Sequence, residues 1–292
     1  MKTILLTGKN GQVGWELQRT LAPLGKVVAL DVTELNLSDA GAIRRTVRSV
    51  RPDIIVNPAA YTAVDKAESE TDLARAVNAE APRVFAEEAN ALGAWMVHYS
   101  TDYVFDGTKQ GAYLETDAPN PQSVYGTTKL AGEEAVRAAA GKHLIFRTSW
   151  VYGSRGHNFM LTMLRLARER KELRVVDDQV GAPTWCRSLA EMTAQILAQL
   201  HLPGTSEGAV SGTYHMTSSG SVSWHGFAAE ILRHSAIQPL PELLAIPSSE
   251  YPTPAKRPKN SVLSNDKLIR TFGLAAGDWQ ANLMLCMQEL QR

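Results

Sequence analysis

Tyr125 and Lys129 stand four residues apart in Tyr125-Gly126-Thr127-Thr128-Lys129, where the pattern reads as the start of a helix. Residues i and i+4 share one helical face about a turn apart. A lysine ammonium beside a phenol favours the phenolate and is expected to lower the tyrosine pKa from about 10 toward neutrality. Such a tyrosine can hand a proton to a carbonyl oxygen at physiological pH. Upstream, the run WMVHYST at 95–101 reads as a strand whose last residue is Thr101, followed by Asp102. A hydroxyl at that strand end can bind the same substrate oxygen, whereas Ser100 should point to the opposite face.

A glycine turn supplies the second piece of chemistry. TILLT at 3–7 runs into Gly8-Lys9-Asn10-Gly11-Gln12-Val13-Gly14, with a glycine at every third position. Glycine permits the tight turn and lets the backbone approach a pyrophosphate at the positive end of the following helix. A plain strand–helix turn would use glycines too; the strand before, the helix after and the alternating pattern beyond favour a dinucleotide site. Asp31 ends the next strand, 17 residues past Gly14, where a carboxylate accepts the adenosine ribose hydroxyls and favours NAD. Lys9 pulls toward NADP, because an ammonium pairs with a 2′-phosphate. A relaxed preference between NADH and NADPH is expected.

These groups need a scaffold that brings strand ends together. Apolar runs at 3–7, 27–31, 53–57, 95–101 and 143–148 alternate with helical patterns at 12–24, 38–50, 72–92 and 124–140. Strands that return after each helix mean a parallel sheet covered on both faces. The expected fold class is α/β: a Rossmann-type doubly wound parallel sheet over residues 1–150 and a smaller C-terminal α/β substrate domain over 151–292, with some later segments returning to the first. Beyond Trp150 helices are expected at 156–170 and 185–201, and strands at 174–178 and 213–217. Six prolines between 239 and 258 predict a loop-rich end packed on the domain.

Composition narrows the function classes. The chain has 292 residues, 44% of them hydrophobic, and Lys+Arg 30 balances Asp+Glu 30, so neither nucleic acid nor an anionic membrane is an expected partner. The only cysteines, Cys186 and Cys286, rule out a disulfide framework or a CxxC site and suit a reducing compartment. With no apolar run near the roughly 18 residues of a membrane span, and a start that Gly8 and Lys9 break too early for a signal peptide, a cytoplasmic protein is expected. The histidines at 98, 143, 157, 201, 215, 225 and 234 lack metal-ligand spacing and read as structural or surface residues. Asp65, Lys66 and Glu68 read as a surface charge cluster, and Met160, Met163 and Leu164 as core or a subunit contact.

Several stretches in order now carry a resemblance. TGKNGQVG at 7–14, NPAAYTAVDKAE at 57–68, STDYVFDG at 100–107, YGTTKLAGE at 125–133 and RTSWVYG at 147–153 resemble an extended short-chain dehydrogenase/reductase. DDQVGAPT at 177–184 and YPTPAKRPKNSVLSNDKL at 251–268 are similar to its dTDP-4-dehydrorhamnose reductase branch. The resemblance implies a nucleotide-sugar substrate and reduction of the C4 ketone of dTDP-4-dehydro-L-rhamnose by NAD(P)H. Tyr125 would be the proton donor, Lys129 its partner and Thr101 the tuning hydroxyl. Gly8, Gly11, Gln12, Val13, Gly14 and Asp31 would line the dinucleotide, with Ala60, Tyr61, Thr62, Tyr99, Tyr125 and Lys129 along it, Lys129 holding the nicotinamide ribose. Thr101, Asp102, Tyr125 and Trp150 would meet the deoxysugar, although Trp150 also reads as a core aromatic. Arg257 and Lys259 would either face the diphosphate or form a solvated basic loop.

Two positions depart from the family pattern. Asn36-Leu37 stands where many extended reductases carry an Asp near the adenine. Some relatives hold Mg²⁺ with carboxylates at a dimer interface; Glu16 suits one ligand, but Trp185-Cys186-Arg187 supplies no acid after GAPT, so the expected metal ligands are none. The resemblance leaves a homodimer open. Two other readings share the fold: a non-catalytic regulatory subunit like the β subunit of methionine adenosyltransferase, and another nucleotide-sugar reductase or epimerase. Tyr125, Lys129 and Thr101 together argue against the former, and a copurifying nicotinamide would mark an epimerase.

Overall fold

The computed structural model describes residues 1–200 and 210–290. Its main sheet has six parallel strands: β1 (Lys2–Leu6), β2 (Gly25–Ala29), β3 (Ile54–Asn57), β4 (Trp95–Thr101), β5 (Lys142–Thr148) and a late strand, β10 (Gly212–His215). Their order across the sheet is β10-β5-β4-β3-β1-β2. The chain crosses from β2 over β1 to β3, so the strand order reverses at β1. A crevice opens there at the carboxyl ends of the strands, the place where an open α/β sheet binds ligands.

Alternation along the strands feeds two cores. Ile4, Leu6, Ile54, Val56, Val97, Leu144 and Phe146 face α1 (Gln12–Thr20) and α8 (Cys186–Gln199). Leu5, Ile55, Met96 and Ile145 face α2 (Ala40–Val50), α5 (Ala81–Leu92) and α6 (Val124–Ala139). Both faces being covered explains why these strands read as continuous apolar runs. On the α6 face, Glu133 is fully buried and gripped by Arg147 through two bonds of 2.9 and 2.7 Å, with Ser100 donating at 2.5 Å. Burial alone would raise the Glu133 pKa; these donors leave it lowered, so the carboxylate stays charged and ties α6 to β4 and β5.

The expected single helix over 72–92 is three pieces: α4 (Thr71–Arg75), a π-helical turn (Ala76–Glu80) and α5. Pro82 has no N–H to offer the Asn78 carbonyl, and a wider turn absorbs the missing bond. The first predicted helix likewise stops at Thr20 and continues as a 3₁₀ turn, Ala22–Leu24.

The rest of the chain forms a second packed layer. Short pairs join β6 (Val151–Tyr152) to β9 (Thr184–Trp185), β7 (Glu172–Val176) to β12 (Glu242–Ile246), and β8 (Val180–Gly181) to β11 (Val222–Ser223). α7 (Phe159–Glu169), α9 (Trp224–Arg233) and α11 (Trp279–Leu290) enclose Tyr152, Met160, Met163, Leu164, Phe227, Ile231 and Leu283. The proline-rich end is more regular than expected: it contains β12 and leads into α10 (Asp266–Phe272) and α11. Three segments after residue 150, namely α8, β10 and α10, pack on the first sheet. The predicted helix over 185–201 ends at Gln199, and His201 falls outside the described residues.

Candidate active site

A cleft of about 700 Å³ runs along the carboxyl ends of β1 to β5, from Asp31 at one end to Tyr125 and Lys129 at the other. The glycine turn forms its floor. Gly8 has φ of 61°, and a Cβ at Gly14 would lie 2.0 Å from the Gly8 carbonyl oxygen. Only hydrogen fits where α1 starts against the turn. No side chain caps α1 at Gly11, so its first N–H groups are left for an anion. Gln12, Val13, Ala60, Tyr61, Thr62 and Tyr99 also line the cleft, as does His157, expected to be structural or surface. These features fit a dinucleotide.

At the adenosine end Asp31 accepts from the Asn10 and Val32 N–H groups, at 2.9 and 2.7 Å, and borders the cleft. Lys9 is paired with Glu34, whose carboxyl it holds below the usual range together with the Asp31 N–H. The expected counterweight to Asp31 is therefore engaged within the turn. Asn36 and Leu37 line the cleft, but the Asn36 amide oxygen is occupied by the Ser38 N–H and hydroxyl.

Asn78 went unnoticed in the sequence. It is buried in the π-helical turn, accepts from the Tyr61 N–H at 2.8 Å and donates to the Tyr61 carbonyl at 3.1 Å. It also donates to the Thr128 hydroxyl at 3.2 Å. One amide thus fastens the cleft loop 60–62 to the helix that carries Tyr125 and Lys129. Only Pro82, which forces the wider turn, hinted at it.

Ser123 caps α6, accepting from the Gly126 N–H at 3.2 Å. Glu68 accepts from the Val124 N–H at 2.9 Å, so this acid belongs to the start of α6 rather than to a mere surface cluster. A Cβ at Gly126 would lie 2.2 Å from the Tyr103 carbonyl oxygen, so glycine lets Tyr125 come up against the turn after β4. The Tyr103 and Tyr125 rings meet edge to face at 5.5 Å.

Thr101 donates to Asp102 at 3.0 Å, accepts from the Tyr103 N–H at 3.1 Å and lies beside Tyr125. Burial pushes the Tyr125 pKa up, and Thr101 offsets only part of this. The expected lowering by Lys129 is not what the structure shows. The Lys129 ammonium points under the strand, donating to the Tyr99 carbonyl at 2.5 Å and lying 3.4 Å from His98 Nε2. Burial brings its own pKa down to about 8. Asp102 is buried, its Oδ2 has no hydrogen-bond partner, and desolvation raises its carboxyl to about 6 against the bond from Thr101. Ser100 faces the other way, to Glu133, and the Tyr99 hydroxyl bonds Thr193 at 2.6 Å.

Beyond these groups lies a second cleft of about 970 Å³, between the 106–112 loop and residues 251–262. Trp150 is half-buried with φ of 47°, and its ring stacks on Trp224 at 3.5 Å and 5°. Trp224 was not picked out from the sequence, because nothing local marks a partner 74 residues away. Arg257 lines the second cleft and donates to Asp65 at 2.8 Å, while the Ala255 N–H reaches the other Asp65 oxygen at 3.3 Å. Asp65 is thus a joint between α3 (Val64–Ala67) and the proline-rich segment. Lys259 is exposed on the same cleft, 4.0 Å from Asp178.

The carboxylates do not fit the divalent cation that the family resemblance raises. Arg187 Nε lies 3.2 Å from Glu16, and its Nη1 pairs with Glu289. Among the described residues no three His, Cys, Asp or Glu side chains are placed to hold a metal. Cys186 and Cys286 are free thiols in the second core, and both are buried.

Residues 1–292 match the family described as RmlD substrate binding domain. The dTDP-4-dehydrorhamnose reductase of Escherichia coli (strain K12) is 50% identical over 296 residues, 98% of this chain and 97% of that protein. Among solved structures, a dTDP-4-dehydrorhamnose reductase from Clostridium acetobutylicum has a TM-score of 0.93 at 40% identity, covering 99% of this chain and 100% of that one. The Bacillus anthracis dTDP-4-dehydrorhamnose reductase, solved in complex with NADP, gives a TM-score of 0.91 at 36% identity over 99% of both chains.

Proposed function

The chain belongs to the RmlD family of dTDP-4-dehydrorhamnose reductases, and from that premise we propose that it reduces the C4 ketone of dTDP-4-dehydro-L-rhamnose to dTDP-L-rhamnose, the last step of dTDP-rhamnose synthesis. The observation that carries the reading is Tyr125 in the glycine-turn cleft, beside Thr101 and Asp102, with a second cleft lined by Arg257. NADPH or NADH, when bound, supplies the hydride.

The residues of the chain do the remaining work. Raised proton affinity keeps Tyr125 a phenol in the cleft, so a proton is available when charge develops on the substrate oxygen. Thr101 shares that oxygen. Lys129, with a pKa of about 8, is largely an ammonium at pH 7; anchored on the Tyr99 carbonyl and lining the cleft, it would hold the nicotinamide ribose. The Trp150–Trp224 stack offers the sugar a flat apolar wall, and Arg257, oriented by Asp65, faces the diphosphate. Gly8, Gly11 and Gly14 would admit the pyrophosphate of the dinucleotide, while Asp31 would meet the adenosine ribose.

We assign the enzyme to the cytoplasm, in keeping with the absence, among the described residues, of any helix long and apolar enough to cross a membrane. The decisive assay follows absorbance at 340 nm with NADPH, and separately NADH, on adding freshly generated dTDP-4-dehydro-L-rhamnose. Loss of absorbance with formation of dTDP-L-rhamnose is expected. A protein that binds dinucleotide yet leaves this ketone untouched would refute the substrate. Sedimentation of the same sample distinguishes monomer from homodimer.

A further inference from the structure

Three acids converge where the glycine-turn helix meets the C-terminal helix: Glu16 on α1, Glu191 on α8 and Glu289 on α11. Glu16 is only 5% exposed, and a buried carboxylate needs a counter-charge. Arg187 supplies it from the first turn of α8. Its Nε is 3.2 Å from Glu16 Oε2 and its Nη1 pairs with Glu289 Oε1, while Ser154 donates to the other Glu289 oxygen at 3.3 Å. The guanidinium also lies over the Trp185 ring at 5.1 Å. The carboxyl of Glu191 is raised, first by burial and then by repulsion from Glu16 and Glu289, with Arg187 opposing.

We propose that Arg187 is a covalent substitute for a divalent cation, so that this chain holds its carboxylate cluster together without metal. A hard dication needs several oxygen ligands at about 2.0–2.6 Å. Here the Glu16 and Glu289 oxygens nearest the centre are filled by guanidinium N–H donors. A second cation would sit against a fixed positive charge that cannot leave. The guanidinium performs the task a metal would have, bridging carboxylates from separate helices, and chelators cannot remove it. α1 and α11, distant in sequence, are joined through it.

Thermal unfolding with and without metal decides the matter, and none of its readouts depends on the substrate. The wild-type Tm should be the same in excess EDTA, in MgCl₂ and in MnCl₂. Arg187→Glu should lower Tm by several degrees in EDTA and regain most of it in MgCl₂ or MnCl₂, with about one ion bound per chain by calorimetry. Arg187→Lys should keep most of the wild-type Tm, whereas Arg187→Gln should lose several degrees that no metal restores. If Arg187→Glu does not fold, the Lys and Gln pair decides, because the charge alone separates them. A wild-type Tm that falls in EDTA or climbs in MgCl₂ overturns the proposal. So does an Arg187→Gln chain as stable as wild type, or a folded Arg187→Glu chain blind to metal.

Discussion

The glycine-turn cleft and the region around Arg257 and Trp150 are built by different means. The first is made of backbone: the glycine turn closes over seven residues, and the Asp31 carboxylate rests on the Asn10 N–H, 21 residues away. The second is made of side chains brought from far apart, such as the Asp65–Arg257 pair across 192 residues and the Trp150–Trp224 stack. Backbone sites are fixed by what cannot be there, a Cβ above all. Side-chain sites are fixed by partners, and each partner is a separate point of failure. Tyr125 and Thr101 sit at the seam.

Substitutions can break that contrast, beginning at the seam. Tyr125→Phe should lower turnover by about 10²–10⁴-fold, the usual worth of one positioned proton donor, while dinucleotide affinity, read by fluorescence titration, stays unchanged. A parallel loss of affinity would mean that Tyr125 belongs to the cofactor groove. Next, Gly14→Ala pushes a methyl against the Gly8 carbonyl. Dinucleotide affinity should drop at least about tenfold, which corresponds to about 1.4 kcal/mol, with sugar-nucleotide binding spared.

At the other end, Arg257→Gln should raise the KM for the sugar nucleotide by about tenfold, the scale of one charge-assisted bond lost, without moving the KM for NADPH. Asp65→Asn should reproduce part of that effect at one remove. Equal effects on both KM values would erase the distinction between the two ends.

The smallest effect is a stability slope. Asp102 ionises near 6 in the folded chain but near 3.8 when unfolded. Between those values the native state holds a proton that the unfolded state has lost, so stability should fall as pH rises from about 4 to about 6. Asp102→Asn should flatten that part of a Tm-against-pH curve.

What could be read from the sequence follows the same division. The strands and helices of the first 150 residues follow their apolar period, and the glycine turn and the Tyr125–Lys129 spacing are visible because their partners are neighbours in the chain. The π-helical turn is a local feature that the period hides, since Ala, Val and Asn suit an ordinary helix and only Pro82 objects. Asn78, Trp224 and the Asp65–Arg257 joint were illegible for another reason: their meaning comes from segments that meet only after folding. The proline count predicted loops after 235, but β12 forms because β7 offers it an edge, five register pairs long. The expected lowering of the Tyr125 pKa did not follow from the spacing, because burial raises it and Lys129 is turned to the Tyr99 carbonyl.

The sheet has a consequence for the chain while it is being made. β5 ends at Thr148, and β10, which covers its outer edge, begins at Gly212. Ribosomes add about 5–20 residues per second, so β5 waits on the order of 3–13 s for its neighbour. During that interval the backbone beside Leu144, Ile145 and Phe146 is an open template to which a neighbouring nascent chain can pair. A short strand 64 residues further on thus closes the edge that β5 leaves open, and slow codons between 149 and 211 would lengthen the exposure.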